Sequence, residues 1–189
     1  MAAGDPFWGD SGSLGQHATH DIRPPAGEEW QIRLYFCANH VGDFDTILTD
    51  GVSSVVIHSA SVGAGGGFGQ RRFSITRDHW LRIQNQNAAS RTLYYHGIIL
   101  KDGDGEIARA IAGITDPYGV DEIRPAAGTE YLIAHAGGMN VRDGTGDIGY
   151  AYLGEFNNEG LTPFHVTNSL WLGAANTARA YSGIILKSS

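Results

Sequence analysis

The chain has 189 residues, 42% of them hydrophobic and 17% charged, with 27 glycines, which is enough apolar material to bury a core and too much for a disordered polymer. A formal charge of −7 and a sequence pI near 5.5 oppose a general attraction to nucleic-acid phosphates, which need a basic surface. One cysteine excludes an internal disulfide and a thiolate zinc cluster. No apolar run approaches the roughly 20 residues of a membrane-spanning helix, and residues 1–15 lack the basic and apolar stretches of a secretory signal, so a soluble chain made in the cytoplasm is expected.

Residues 1–15 set Pro6, Phe7 and Trp8 among glycines and acids, and read as an arm ordered only by docking on something. From residue 16 onward strand follows strand. Arg23-Pro24-Pro25-Ala26-Gly27 reads as a turn that launches a strand over 29–36, with Trp30, Ile32, Leu34 and Phe36 on one face at period two. Cys37 follows in a strand-core setting and reads as a buried, inert thiol. Asp50-Gly51, between two β-prone runs, is a two-residue hairpin signal. The Gly-rich run over 62–69 reads as a hairpin loop, since it opens no helix and no Lys-Ser/Thr follows it as in a phosphate-binding loop. Further strands are predicted over 71–76, 79–85 and 92–101.

The same order then recurs. Residues 22–32 (IRPPAGEEWQI) reappear as 123–133 (IRPAAGTEYLI) with seven of eleven positions identical. Phe73-Ser74-Ile75-Thr76 followed by Trp80-Leu81 matches Phe164-His165-Val166-Thr167 followed by Trp171-Leu172, and Gly-Ile-Ile-Leu-Lys closes both copies at 97–101 and 183–187. Asp143-Gly144 takes the place of Asp50-Gly51, and strands are predicted over 164–167, 169–175 and 178–187. The offset shrinks from 101 to 91 to 86, as loop deletion after a duplication would leave it. The sequence therefore predicts an all-β protein of two tandem small antiparallel β-sandwich units, jelly-roll-like and with little helix: an N-terminal arm over 1–15, a first unit over 16–103 and a second over 104–189. The short acidic connection 102–106 makes the two units packed neighbours.

Motifs for chemistry are absent from the sequence. His17 and His20 are spaced to face opposite ways on a strand, with no third ligand adjacent. His58, His79, His96, His135 and His165 read as half-buried strand residues. Asp102-Gly-Asp104-Gly-Glu106 has oxygen atoms for a cation but not the twelve-residue series of a calcium loop. No nucleophile elbow, zinc-protease helix or phosphate loop is present, so no catalytic residue, cofactor or metal is expected. Glu29 and Glu130 read as surface residues at strand starts. Arg71, Arg72, Arg77 and Arg82 interleave with Phe73 and Trp80 as a single-strand nucleic-acid platform would, but the second copy lacks this, so a solvated face or a contact to an acidic protein fits better. If Leu81, Ile83, Leu170 and Leu172 face the cores, then Trp80 and Trp171 point the other way, as interface anchors.

The two blocks Arg-Pro-x-Ala-Gly-x-Glu-(Trp/Tyr)-x-Ile and Phe164-His165-Val166-Thr167-Asn168-Ser169 resemble a group of small tailed-phage proteins encoded among virion genes. Across both copies the resemblance covers about 160 residues. It departs from the pattern at Arg77-Asp78-His79 of the first copy. It implies a non-enzymatic virion structural protein on the outer capsid surface, a decoration or cement protein, and it carries over no catalytic residue. The expected partners are the major capsid protein, reached through Phe7, Trp8, Trp80 and Trp171, and neighbouring copies of the chain in a homo-oligomer, with no nucleic acid or membrane. The alternative is a tail-associated receptor-binding or carbohydrate-binding module, its outward aromatics stacking on sugar rings and loop 61–70 lining the site.

Overall fold

The computed structural model describes residues 2–37, 42–62, 72–103, 105–116, 120–153, 164–175 and 178–187. Regular structure among them is entirely strand. In the first half the strands are β1 (Pro6–Asp10), β2 (Thr19–Ile22), β3 (Glu29–Cys37), β4 (Gly42–Thr49), β5 (Ser54–Val62), β6 (Phe73–Ile75), β7 (Trp80–Asn85) and β8 (Leu93–Lys101). They form two antiparallel sheets, ordered β1-β8-β3-β6 and β2-β7-β4-β5. Period-two alternation decides which side chains go inward: in β7, Leu81, Ile83 and Asn85 are buried while Arg82 and Gln84 are half-buried. One core joins the two sheets, with Ile32, Ile75 and Ile99 from the first and Phe44, Leu48 and Leu81 from the second.

The second half contains β9 (Arg109–Ile114), β10 (Val120–Ile123), β11 (Glu130–Arg142), β12 (Asp147–Leu153), β13 (Phe164–Val166), β14 (Trp171–Ala175) and β15 (Ala180–Lys187). Its pairings repeat those of the first half, with one change. The thirteen-residue β11 does the work of both β3 and β4: its N-terminal part pairs with β15 and β13, and its C-terminal part with β14 and β12. Because that strand is unbroken, the strands of this half belong to one sheet. Ile123, Ile133, Met139, Val166 and Leu172 make a second core.

Both halves carry a β-bulge at the same place. The register of β3 against β8 shifts between Ile32 and Leu34, and that of β11 against β15 between Ile133 and His135. The bulge interrupts the alternation that put Trp30, Ile32, Leu34 and Phe36 on one face. It also explains the glycine that opens each Gly-Ile-Ile-Leu-Lys block. A Cβ on Gly97 would press into the carbonyl of Gln31, and one on Gly183 into that of Leu132, so only glycine allows the strands to approach so closely.

The separate arm expected over 1–15 is corrected. β1 is a strand of the first sheet, in register with β8 from Pro6↔Ile98 to Asp10↔Tyr94, and Gly4 N and Ser11 N donate to the carbonyls of Ile99 and Leu93 at 2.8 and 2.9 Å. Phe7 is 7% exposed, belongs to the core and lies 4.4 Å from the Trp30 ring. Burying this apolar side chain offsets the entropy of ordering the segment. The counterpart of β1 is β9: Ile111 faces Gly183 as Phe7 faces Gly97.

The hairpin signals fall where expected but close wider turns. Thr49↔Ser54 and Arg142↔Asp147 are the last pairs, leaving four residues in each turn. Asp50 Oδ1 accepts from Val52 N and Ser53 N at 2.8 and 2.6 Å, and Asp143 Oδ1 accepts from Thr145 N and Oγ1 at 2.9 and 2.7 Å. Gly51 and Gly144 both have φ of 93°. The Gly-rich loop from residue 63 onward, Arg71 and the Cys37 side chain lie outside the described residues.

The two halves meet through the second half's edge. β9 and β15 pack on β6, and Ala180 is part of the first core, with Ile114 against it. Glu29, expected on the surface, is buried here. Its carboxylate accepts from Arg109 Nε at 2.9 Å and from Ala110 N at 2.5 Å, a charge-assisted pair that compensates its desolvation. The turns before β3 and β11 are equivalent, with Gly27 at φ 86° and Gly128 at φ 85°, and at Gly27 open space where a Cβ would sit. Gly27→Val and Gly128→Val should each cost about 1 kcal/mol or more through backbone strain alone, while Gly15→Ala, in open space at a φ outside the left-handed region, should leave the urea midpoint in place.

Candidate functional site

Three separated repeat blocks converge on one cluster in each half. The Thr76 turn (Thr76 N donates to His79 O at 2.9 Å) delivers Trp80 at the start of β7, and the Thr167 turn (Thr167 N to Leu170 O, 2.7 Å) delivers Trp171 at the start of β14. The residue before the first proline lies over each ring: the guanidinium carbons of Arg23 and Arg124 are both 3.8 Å from the ring centroids. Arg23 Nε donates to Arg77 O at 2.8 Å, and Arg124 Nε to Asn168 O at 2.9 Å. At the rim of the ring stand the glycines of the two Asp-Gly turns. A Cβ on Gly51 would lie 3.1 Å from Trp80, and one on Gly144 3.6 Å from Trp171.

The expectation that Trp80 and Trp171 form exposed interface anchors is therefore corrected, since each is 4% exposed. By alternation they do leave the face that Leu81 and Leu172 give to the cores. Arginine and turn then cover them, so they close the outer face of each sheet instead of offering it. Of the four expected contact residues only Trp8 is open, at 76% exposure. It stands on edge strand β1, paired with His96 and flanked by buried Phe7.

Below each cluster lies an ion pair of different origin. In the first half Arg82 grips Asp21 from the facing strand, Nε to Oδ1 at 2.6 Å and Nη2 to Oδ2 at 2.8 Å, which holds the Asp21 carboxyl below its usual range. In the second half Gly173 takes the position of Arg82. Arg142 of β11 fills the space, 2.7 Å from Asp147 and 3.5 Å from Glu122. Turn carboxylates are likewise held low, Asp50 by the Ser53 N–H and Asp143 by the Thr145 hydroxyl. Of the expected basic face, Arg82 is held by Asp21, while Arg72 and Arg77 are exposed.

The histidines do not assemble. His17 sits in a left-handed turn, φ 58°, with Nδ1 3.2 Å from Gln86 Oε1. His20 lies in β2 with its ring 5.8 Å from that of Tyr95. His165 pairs with Glu130 at 2.8 Å. Among the described residues no three His, Cys, Asp or Glu side chains come together as a metal-binding group. A cleft of about 490 Å³ between the halves is lined by Ser53, Ser54, Thr115, Asp116 and Asp121, and a shallower one of about 430 Å³ by Glu122, Arg142, Asp147 and Trp171.

Sequence reading missed the buried Glu29, the partnership of Arg23 and Arg124 with the tryptophans, and the place of β1. A signal for β1 existed: Gly9 and Gly113 each face a tyrosine ring, Tyr95 and Tyr181, that a Cβ would strike. No protein-family model, curated protein or solved structure matches the chain. What the fold defines is an all-β, antiparallel protein whose two halves each hold a covered tryptophan.

Two measurements check this cluster. Trp80→Ala and Trp171→Ala should each lower stability by about 3–5 kcal/mol, as large-to-small changes in packed sites do, and Arg23→Ala and Arg124→Ala by about 1 kcal/mol from lost cation–π contact and packing; surface anchors would leave chemical denaturation unchanged. The second concerns acid. Burial lowers the His20 pKa below 6.5, against the opposing effect of Asp21 and Asp10. The unfolded chain then takes up that proton first, so native stability should decline as pH falls from 6.5 towards the lowered native value. In His20→Asn this part of the slope should disappear from a pH series of denaturation curves.

Proposed function

We propose that the chain is a pair of tandem jelly-roll-like β-sandwiches and a non-enzymatic phage virion structural protein, a capsid decoration or cement protein that binds the major capsid protein on the outer surface of the head. The observation that carries the reading is the strand order 1-8-3-6 and 2-7-4-5 of the first half, whose pairings recur in the second with β11 in place of both β3 and β4. Eight strands paired in this order support a jelly-roll reading, an architecture of viral capsid and lectin domains, and the inference from it to a role is by analogy of fold. The phage-protein motifs support it, because they are the turns and strands that build the tryptophan clusters. Two units in one chain offer two related surfaces, which raises the effective concentration of the second contact.

Burial of Phe7, Trp80 and Trp171 leaves Trp8 as the aromatic anchor for the capsid. The carbohydrate-binding alternative loses its two tryptophan platforms, which are covered, while most of loop 61–70 lies outside the described residues. Its remaining support is the cleft of hydroxyls and carboxylates between the halves, which suits a polyol.

Co-sedimentation with undecorated capsids tests the proposal. The wild-type chain should pellet with heads, and Trp8→Ala should bind at least tenfold more weakly, a loss of about 1.4 kcal/mol or more, with an unchanged melting curve. Absence of capsid binding together with saturable binding to a glycan array would overturn the decoration role in favour of receptor recognition.

A further inference from the structure

The internal contact between the two halves uses two unlike surfaces, and each half carries both. The first half receives on β3, β6 and the end of β8: Glu29 takes Arg109 and Ala110, Phe73 and Ser74 are covered, and Leu100 is 3% exposed, its carbonyl accepting from Ile107 N at 2.9 Å. The second half inserts the outer face of β9 and β15, where Ala110, Ala180 and Ser182 are buried. The repeat supplies each surface again, in the other half, with none of the described residues docked on it as the halves dock on each other.

On the second half, the receiving surface is uncovered. Leu186, the counterpart of Leu100, is 48% exposed, Phe164 is half-buried where Phe73 is buried, and His165 is exposed where Ser74 is buried. On the first half, the inserting surface is uncovered too. Trp8 stands open where the second half has Ala112, and His96 is half-buried where Ser182 is buried. Each surface thus carries one open large apolar side chain beside a half-buried ring, Trp8 with His96 on the first half and Leu186 with Phe164 on the second.

We infer that these two vacant surfaces bind each other between copies, so that the Trp8 face of one chain docks on the Leu186–Phe164 face of the next. The occupant is a second copy, because the internal interface already shows one half accepting the other through the equivalent strands. The contact is not a replica of the internal one. Asp5 and Pro6 stand where the second half has Arg109 and Ala110, so neither a cation nor a backbone N–H is offered to Glu130. His165 already holds that carboxylate at 2.8 Å, and attraction comes from Trp8 against Leu186 and Phe164. An interface between unlike surfaces is heterologous and builds a ring or an open chain of copies. The inference does not rest on the virion reading, but the two draw on the same residue: a Trp8 buried against a second copy is closed to a capsid, which is left the unpaired end of an open chain of copies.

The test is sedimentation velocity on purified full-length chain across a concentration series. Wild type should associate beyond a monomer with rising concentration. Trp8→Glu and Leu186→Glu, both at exposed positions, should each be monomeric with unchanged circular dichroism and melting temperature. Mixed in equal amounts, the two variants should form a 1:1 heterodimer and nothing larger, since each retains the surface that the other has lost. A wild-type chain monomeric at every concentration would overturn the inference, as would variants that still self-associate. Loss of association in one variant alone, with no heterodimer on mixing, would replace it with a symmetric interface between like surfaces.

Discussion

The approach of one β-bulge to one glycine sets the course of each half. At Arg33 and again at Ala134 an extra residue is inserted opposite Gly97 and Gly183, and the partner backbone lies where any side chain would stand. A bulge bends its strand and increases the local twist. Past the bulge β11 still pairs with β15 as far as Ala136, and beyond a further break in register between Ala136 and Met139 it pairs with β14, so that a single strand serves β15 at its beginning and β14 at its end. In the first half β3 ends at Cys37 and β4 begins at Gly42; in the second, β11 runs from Glu130 to Arg142. The two cores, the turns and the tryptophan clusters follow from where the strands cross.

Most of this framework was legible because repetition marks what the fold requires. The blocks that recur are the two positive-φ glycines before β3 and β11, the threonine turns, the tryptophans and the closing Gly-Ile-Ile-Leu-Lys. Each is a place where backbone or packing geometry admits few residues. Gly9 and Gly113 obey the same logic, yet an isolated glycine carries little signal when its neighbours Trp8 and Ala112 differ in size and exposure.

The tryptophans show the limit of periodicity. Alternation fixes the face of a sheet to which a residue belongs, and Trp80 and Trp171 leave the core face as their spacing requires. It does not fix what covers that face. Their lids, Arg23 and Arg124, lie 57 and 47 residues away in sequence and come from turns whose cation–π role has no local signature. Glu29 illustrates the same point with charge. Its copy Glu130 is half-exposed beside His165, and only the docking of β9 distinguishes the two.

That docking bears on how the chain is made. Ala180 and Ile114 complete the packing around the first core, and β9 and β15 lie against β6, the edge strand that carries Phe73 and Ser74. Synthesis runs from the N-terminus at about 5–20 residues per second, so between Lys101 and Lys187 the ribosome spends roughly 4–17 seconds. Through that interval the first half waits with an apolar edge uncovered while its cover is still being translated, which makes nascent chains on neighbouring ribosomes its nearest competitors for the missing strands.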